Sequence, residues 1–351
     1  MIGVADMHLR GLAARTFLSL PTPVLRALAG GGVVYQGGRT LDPRFQYLAS
    51  RARGAPALTS LAPIDARVAS ARLLSHLAHR TARGVRIEAV SIPRGAGTIP
   101  ARAYRGADQN PGFPVVVFAH FGGGVIGDLD AADAFCSILA EVAGCPVLSI
   151  DYRLAPEHRF PAGLDDMFVA YRWARDNAGQ FGAPTGRAAV GGDSMGANFA
   201  AVVAQETKRL NERQPALQLL IYPALDVASE SASMTTYADA YPLSRAIMEW
   251  FMGYYMRPGD APTDPRLSPL RAVDLSGLAP AVIATAGFDP LSDQGEAYVR
   301  RLREAGVPVA FRAYDHLAHA FTAFTGVVPS ADRACREIAG LVREGFARGP
   351  A

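Results

Sequence analysis

Two groups of residues in this sequence have types and spacings that could do chemistry. The first is Gly192-Asp193-Ser194-Met195-Gly196, a G-x-S-x-G pattern. Small residues two before and two after a serine let a chain turn sharply from strand to helix and pack without clash. The hydroxyl then stands exposed, and the helix that follows points its free N–H groups at it. The bland use of such a serine is a helix N-cap. A serine nucleophile needs a base, and the base needs an orienting carboxylate. Asp289 follows the strand-like run 282–286, in Gly287-Phe288-Asp289-Pro290. His316 and His319 follow the run 309–314, in Asp315-His316-Leu317-Ala318-His319-Ala320-Phe321. Chain order Ser, Asp, His, with each residue in a loop after a strand, is one of the known orders of an acyl-transfer triad. Asp289 is also placed to cap a helix beginning near Ser292. We take His319 as the base and His316 as the alternative.

The second group is the loop Ala119-His120-Phe121-Gly122-Gly123-Gly124-Val125-Ile126-Gly127-Asp128, directly after the apolar run 115–118. Two chemistries use such a loop. Gly122-x-Gly124-x-x-Gly127 has the letters of the dinucleotide fingerprint, and Asp151 lies 24 residues beyond Gly127, close to the acidic residue that fingerprint expects. However, two strands and a helical region precede the motif, which normally opens its domain. A nicotinamide-dependent oxidoreductase would also leave the serine, aspartate and histidine without a task. The other chemistry aims backbone N–H groups at the oxyanion of a reacting ester. His120 is a poor candidate for the base. His76-x-x-His79 and His316-x-x-His319 lack the H-E-x-x-H pattern and clustered carboxylates, so no metal site is expected.

These residues must be positioned by the elements around them. Residues 1–85 read as helix and loop, with helical spacing of apolar residues over 64–77. Short strands are expected at 86–92, 99–104, 115–119, 147–150, 188–190, 217–222, 282–286 and 309–314. Helices are expected at 128–143 with Asp128 as N-cap, 164–174, 195–208 and 330–346. Strands alternating with helices imply a mostly parallel sheet covered on both faces. Residues 226–265, rich in aromatics and methionine, interrupt the alternation and include a helix at 246–256. An insertion there would sit above the strand ends.

Composition excludes several classes. The 351 residues are 50% hydrophobic and 19% charged, enough for one large α/β domain with appendages or for two ordinary domains. A net charge of +3 gives no reason to expect nucleic acid or a membrane surface as partner. Lys208 is the only lysine, and Ala197 stands where a Ser-x-x-Lys hydrolase needs one. Cys136, Cys145 and Cys335 form no CxxC pair and read as buried thiols in a reducing compartment. Asp6, Arg10, Arg15, Pro21 and Pro23 break up any leader-like apolar run, and no 18-residue apolar stretch exists. A soluble cytoplasmic protein is the expectation.

Four blocks in order make a resemblance specific. They are His120-x-Gly-Gly-Gly with Ile126-Gly127-Asp128; Asp151-Tyr-Arg-Leu-Ala-Pro-Glu-His158 with Phe160-Pro161-Ala162; Gly192-Asp-Ser-Met-Gly196; and Asp289-Pro-Leu-Ser-Asp293 with His319-Ala-Phe321. Over roughly residues 85–345 the chain resembles the hormone-sensitive lipase family of α/β-hydrolases, the bacterial family IV esterases. The resemblance implies the α/β-hydrolase fold, with a catalytic core of residues 86–225 and 266–351. It implies a cap from residues 1–85 and from the insertion 226–265. It implies a Ser194–His319–Asp289 triad and an oxyanion hole from the N–H groups of Gly122, Gly123 and Met195. Asp151 then belongs to a structural turn, and His120 orders the glycine loop. It leaves room for a homodimer.

Two departures stand out. Where the family reads His-Gly-Gly-Gly-aromatic, this chain has Phe121 directly after the histidine and glycine at 124; a positive φ at 121 would strain the phenylalanine. Met195 replaces the usual alanine. Phe121, Gly124, Trp250, Phe251 and Tyr255 are expected around the substrate, with Tyr254 beside them. The reading is a serine carboxylesterase for short- to medium-chain acyl esters, needing no cofactor. An amidase or lactonase shares the chemistry. A non-catalytic small-molecule receptor is a rival of a different class.

Overall fold

The computed structural model of the chain describes residues 15–78 and 81–349. Asp6, Arg10 and His79 lie outside them, as does the side chain of His76. The N-terminal segment holds α1 (Thr22–Leu28), a short hairpin β1 (Tyr35–Gln36) and β2 (Arg39–Thr40), α2 (Pro43–Ala52) and α3 (Pro63–Leu77). The hairpin was not legible in the sequence, because two residues per strand carry no periodicity.

The sheet grows from its most apolar run. β5 (Val115–Ala119) is buried at all five positions, as a parallel strand covered on both faces must be. Around it stand β3 (Arg86–Arg94), β4 (Gly97–Arg105), β6 (Val147–Ile150), β7 (Ala188–Asp193), β8 (Gln218–Ile221), β9 (Ala281–Phe288) and β10 (Val309–Ala318). The order is β10-β9-β8-β7-β5-β6-β4-β3. Strands β5 to β10 pair in parallel, and β4 runs antiparallel to both β3 and β6. Side chains alternate across the sheet. Val115, Val117 and Ala119 face one core with α5 (Ala162–Asp176), α6 (Met195–Arg209) and α9 (Ser292–Glu304). Val116 and Phe118 face the other with α4 (Leu129–Ala143) and α10 (Pro329–Ala347). The insertion contributes α7 (Ala232–Thr236) and α8 (Arg245–Tyr255).

Parallel register brings the chemistry to one edge. Ala119 of β5 lies opposite Gly192 of β7, so the glycine loop and the serine turn leave neighbouring strands side by side. Phe288 of β9 lies opposite Ala318 of β10, which places Asp289 and His319 next to each other. The sequence ends β10 at Tyr314. In the fold it runs to Ala318 through a register shift between Tyr314 and Ala318, a bulge that re-aims the residues beyond it. Gly287 makes room for that bulge, since a Cβ there would strike the backbone of Asp315.

Candidate active site

Ser194 closes β7 and opens α6 with φ 54 and ψ −113, a strained conformation for a side-chain-bearing residue. The flanking glycines explain how the turn survives. A Cβ at Gly192 would collide with the backbone of Gly196, and one at Gly196 with the carbonyl of Ala119. The Ser194 N–H donates to Ile221 O at 2.9 Å, and its side chain caps nothing in α6. The hydroxyl is left for another partner.

That partner is His319, whose Nε2 lies 3.0 Å from Ser194 Oγ. Its Nδ1 lies 2.7 Å from Asp289 Oδ2. Asp289 is fully buried, and its Oδ1 accepts the Leu291 N–H at 2.8 Å. Asp289 therefore orients His319 with one oxygen and closes the Leu291 turn with the other; it does not cap the helix from Ser292, whose N-cap position is Leu291. Ala320, at φ 59, turns the chain directly after the histidine. His316 is exposed and does not reach the serine; its carbonyl accepts the Asp42 N–H at 2.9 Å.

The glycine loop follows its own path past Phe121. Positive φ falls on Gly122 (121°), Gly123 (64°), Gly124 (72°) and Gly127 (98°), and not on Phe121. The strain considered for Phe121 does not arise. The glycines are also needed sterically: a Cβ at Gly123 would enter the Phe251 ring, and one at Gly124 the Tyr255 ring. The N–H groups of Gly122, Gly123 and Met195 make no hydrogen bond within the described residues. All three residues border the cavity that Ser194 faces. His120 holds the loop. Burial pushes its pKa down to about 4, so the ring is neutral at pH 7. Its Nδ1 donates to Phe121 O at 2.7 Å, and its ring stacks on Tyr152, whose hydroxyl donates to His120 O at 2.8 Å.

One buried ionisable group beside the site escaped the sequence reading. Asp193, the variable position before the serine, is buried and accepts from Tyr222 Oη and Thr322 Oγ1, each at 2.8 Å. Tyr222 and Thr322 are hydrogen-bonded to each other, and the Tyr222 ring packs 4.7 Å from the His319 ring. Burial pushes the Asp193 pKa up to about 6, against the two hydroxyl bonds and the proximity of His319. Its Oδ1 has no hydrogen bond among the described residues. The sole sequence signal was an ionisable residue inside a strand that is otherwise Ala, Val and Gly.

Ser194 opens into a cavity of about 1120 Å³, mostly apolar in its lining. Its walls come from Phe121, Gly122 and Gly123, from residues 48–74 of the N-terminal segment, and from residues 224–252, including Phe251. Gly124, Trp250 and Tyr255, expected at the substrate, are not in the wall. The Tyr255 ring covers Gly124 and packs on Phe160 and Phe199. Trp250 packs on Phe251 and Tyr254. Helix α8 borders the cavity along Arg245–Glu249 and again at Phe251 and Met252, so Phe251 is its one aromatic in the wall.

Comparison with known proteins agrees with this architecture. The family model described as alpha/beta hydrolase fold matches residues 116–323. The chain is 44% identical to the carboxylic ester hydrolase LipN of Mycobacterium tuberculosis (strain ATCC 25618 / H37Rv), over 86% of this chain and 82% of that one. It is 38% identical to the ethyl acetate hydrolase of Pseudomonas putida, over 68% of this chain and 76% of that one. Among solved structures it is similar to the ester hydrolase EH1AB1 from the metagenome of Lake Arreo, complexed with a bipyridine phosphonate derivative. The TM-score is 0.83 and the identity 40%, with 86% of this chain and 97% of that chain covered. The chain belongs to the α/β-hydrolases, and within them to the hormone-sensitive lipase family, the family IV esterases.

Proposed function

We propose that the chain is a serine carboxylesterase acting on short- to medium-chain acyl esters through an acyl-enzyme. The observation that carries the reading is the continuous Asp289–His319–Ser194 chain of contacts at 2.7 Å and 3.0 Å. Ser194 Oγ attacks the ester carbonyl as His319 Nε2 takes its proton. Asp289 holds the Nδ1–H tautomer and stabilises the imidazolium that forms. The N–H groups of Gly122, Gly123 and Met195 receive the oxyanion, each such donor being worth on the order of 10²–10³ in rate. His319 then protonates the leaving alcohol, and water, activated by the same imidazole, releases the acid.

Residues 1–85 and 226–265 form the cap in this reading, supported by the share of the cavity wall they supply. Phe121 and Phe251 border the acyl group. A cytoplasmic location is supported by three buried free thiols, with Cys145 pushed up to about 12 by burial. Among the described residues no helix is long and apolar enough to cross a membrane. A homodimer remains the oligomeric expectation, to be measured by light scattering.

The test is hydrolysis of p-nitrophenyl esters from acetate to palmitate by wild type and Ser194→Ala. Turnover by the variant is expected to fall by roughly 10⁴ or more with an unchanged circular dichroism spectrum. A folded variant keeping a tenth of the activity would remove Ser194 from the mechanism. Hydrolysis of amides or lactones in preference to all these esters would reassign the substrate class.

A further inference from the structure

The net charge of +3 conceals a division along the chain. Residues 1–78 hold nine arginines, three aspartates and neither lysine nor glutamate, a net +6; with the whole at +3, the remainder is −3. The same segment concentrates exposed apolar side chains. Of eleven large hydrophobic residues that stand exposed among the described residues, eight lie in residues 15–78, under a fifth of the chain.

The helices there present the wrong face to water. A helix lying on a core turns polar residues outward. On α3, Ala66 is buried and Arg67 is tied inward to Glu157 and to the carbonyls of Val125 and Ala155. Its outer face carries Ile64, Val68 and Ala71, with Asp65 and Arg72 beside them. On α1, Leu25 is buried while Val24, Ala27 and Leu28 face out with no charge among them. The hairpin adds Tyr35, 69% exposed. Arg26, Arg51, Arg53 and Arg72 have no carboxylate within ion-pair distance among the described residues. Arg51, Arg53 and Leu73 also line the cavity, so this surface runs into the entrance to Ser194.

We propose that the outer face of α1, α3 and the β1–β2 hairpin docks on an anionic lipid surface. Outward apolar residues flanked by unpaired cations, here the exposed Arg51, Arg53 and Arg72 with the half-buried Arg26, are what such a surface holds, through buried apolar area and attraction to headgroup phosphates. A second copy of the chain fits less well, because an isologous contact through this face would bring together the arginines of both copies that have no carboxylate partner. Docking would set the cavity entrance against the phase in which apolar esters are dissolved. That consequence rests on the esterase reading; the docking does not.

The experiment is co-sedimentation of the full chain with vesicles of phosphatidylcholine alone and of phosphatidylcholine mixed with phosphatidylglycerol, at low and high salt. Binding is expected to the anionic vesicles only, and to weaken with salt. Arg26→Glu with Arg72→Glu should lower it at least tenfold, and Ile64→Ser with Val68→Ser should do the same. Neither pair lines the cavity, so hydrolysis of dissolved p-nitrophenyl acetate should match wild type. No binding by folded wild type, or equal binding to both vesicle types, overturns the proposal. So does a dimer in light scattering that Ile64→Ser with Val68→Ser converts to monomer, which would assign the face to a second copy. Ser194→Ala should bind vesicles like wild type, so failure of the esterase reading and failure of docking are read separately.

Discussion

Single residues at this site answer to more than one demand. Asp289 caps the turn at Leu291 with one oxygen and meets His319 with the other. The three glycines after Phe121 supply positive φ, and Gly123 and Gly124 also make way for Phe251 and Tyr255 of α8. Asp193 is the residue whose behaviour a sequence pattern hides, because G-x-S-x-G leaves its position open. Its carboxyl titrates near 6 in the folded protein, above the ordinary carboxylate range. Below about pH 4 it is protonated in both folded and unfolded chains. As pH rises, the unfolded chain releases its proton first, so the group's contribution to stability falls and is lost through the folded value. The loss amounts to at most about 3 kcal/mol above pH ~6. Asp193→Asn removes this term. Relative to wild type it should gain up to that amount between about pH 4 and pH 7, measured by urea unfolding at each pH. A pH-independent difference between the two proteins would place the charge of Asp193 elsewhere than in the folding equilibrium.

Elements are held by local chemistry that the sequence shows plainly. Helix α4 begins where Asp128 accepts the Ala131 N–H at 2.9 Å and ends at Gly144 with φ 65. Its start was readable, because a cap is a contact between near neighbours. Asp128→Ala should cost about 1 kcal/mol of stability, seen as a lower urea midpoint with an unchanged slope, while ester turnover stays within a few-fold of wild type. The strands were readable for a different reason: a run buried on both faces is mostly apolar, as β5 is throughout and β6 is but for Ser149. The far end of β10 was not, because its register shift depends on the partner strand β9 and on the missing Cβ of Gly287.

At the scale of the whole molecule, cap and core meet across the glycine loop. The Phe251 ring of α8 presses on Gly123 and borders the cavity. Phe251→Ala should lengthen the accepted acyl chain, raising the kcat/KM ratio of p-nitrophenyl decanoate to butyrate by about tenfold or more, since each accommodated methylene is worth ~1 kcal/mol or more. Turnover of every ester should fall as the loop loses its backing. An unchanged ratio would put the acyl group elsewhere in the cavity. The N-terminal segment is fastened to the acid and base loops from the other side. Arg39 donates to Gly287 O at 3.0 Å and pairs with Asp315 at 3.0 Å, and Ser330 Oγ donates to Asp42 at 2.6 Å.

The sequence by itself determined the scaffold and the identities of Ser194, Asp289 and His319 as candidates. Each follows a strand, and parallel strands in succession deliver their C-terminal ends to one edge. It also determined that the turn at Ser194 would need Gly192 and Gly196. The tertiary structure decided what depends on residues distant in the chain. It chose His319 over His316 through the bulge in β10, removed the strain from Phe121 by shifting positive φ to the three glycines, and brought Asp193 under Tyr222 and Thr322. It also turned Phe251 toward the cavity and Tyr255 away from it. Local steric and capping rules act between neighbours and can be read along the chain. Burial, register and the shape of a cavity are set by which elements pack together, and no single stretch of sequence contains them.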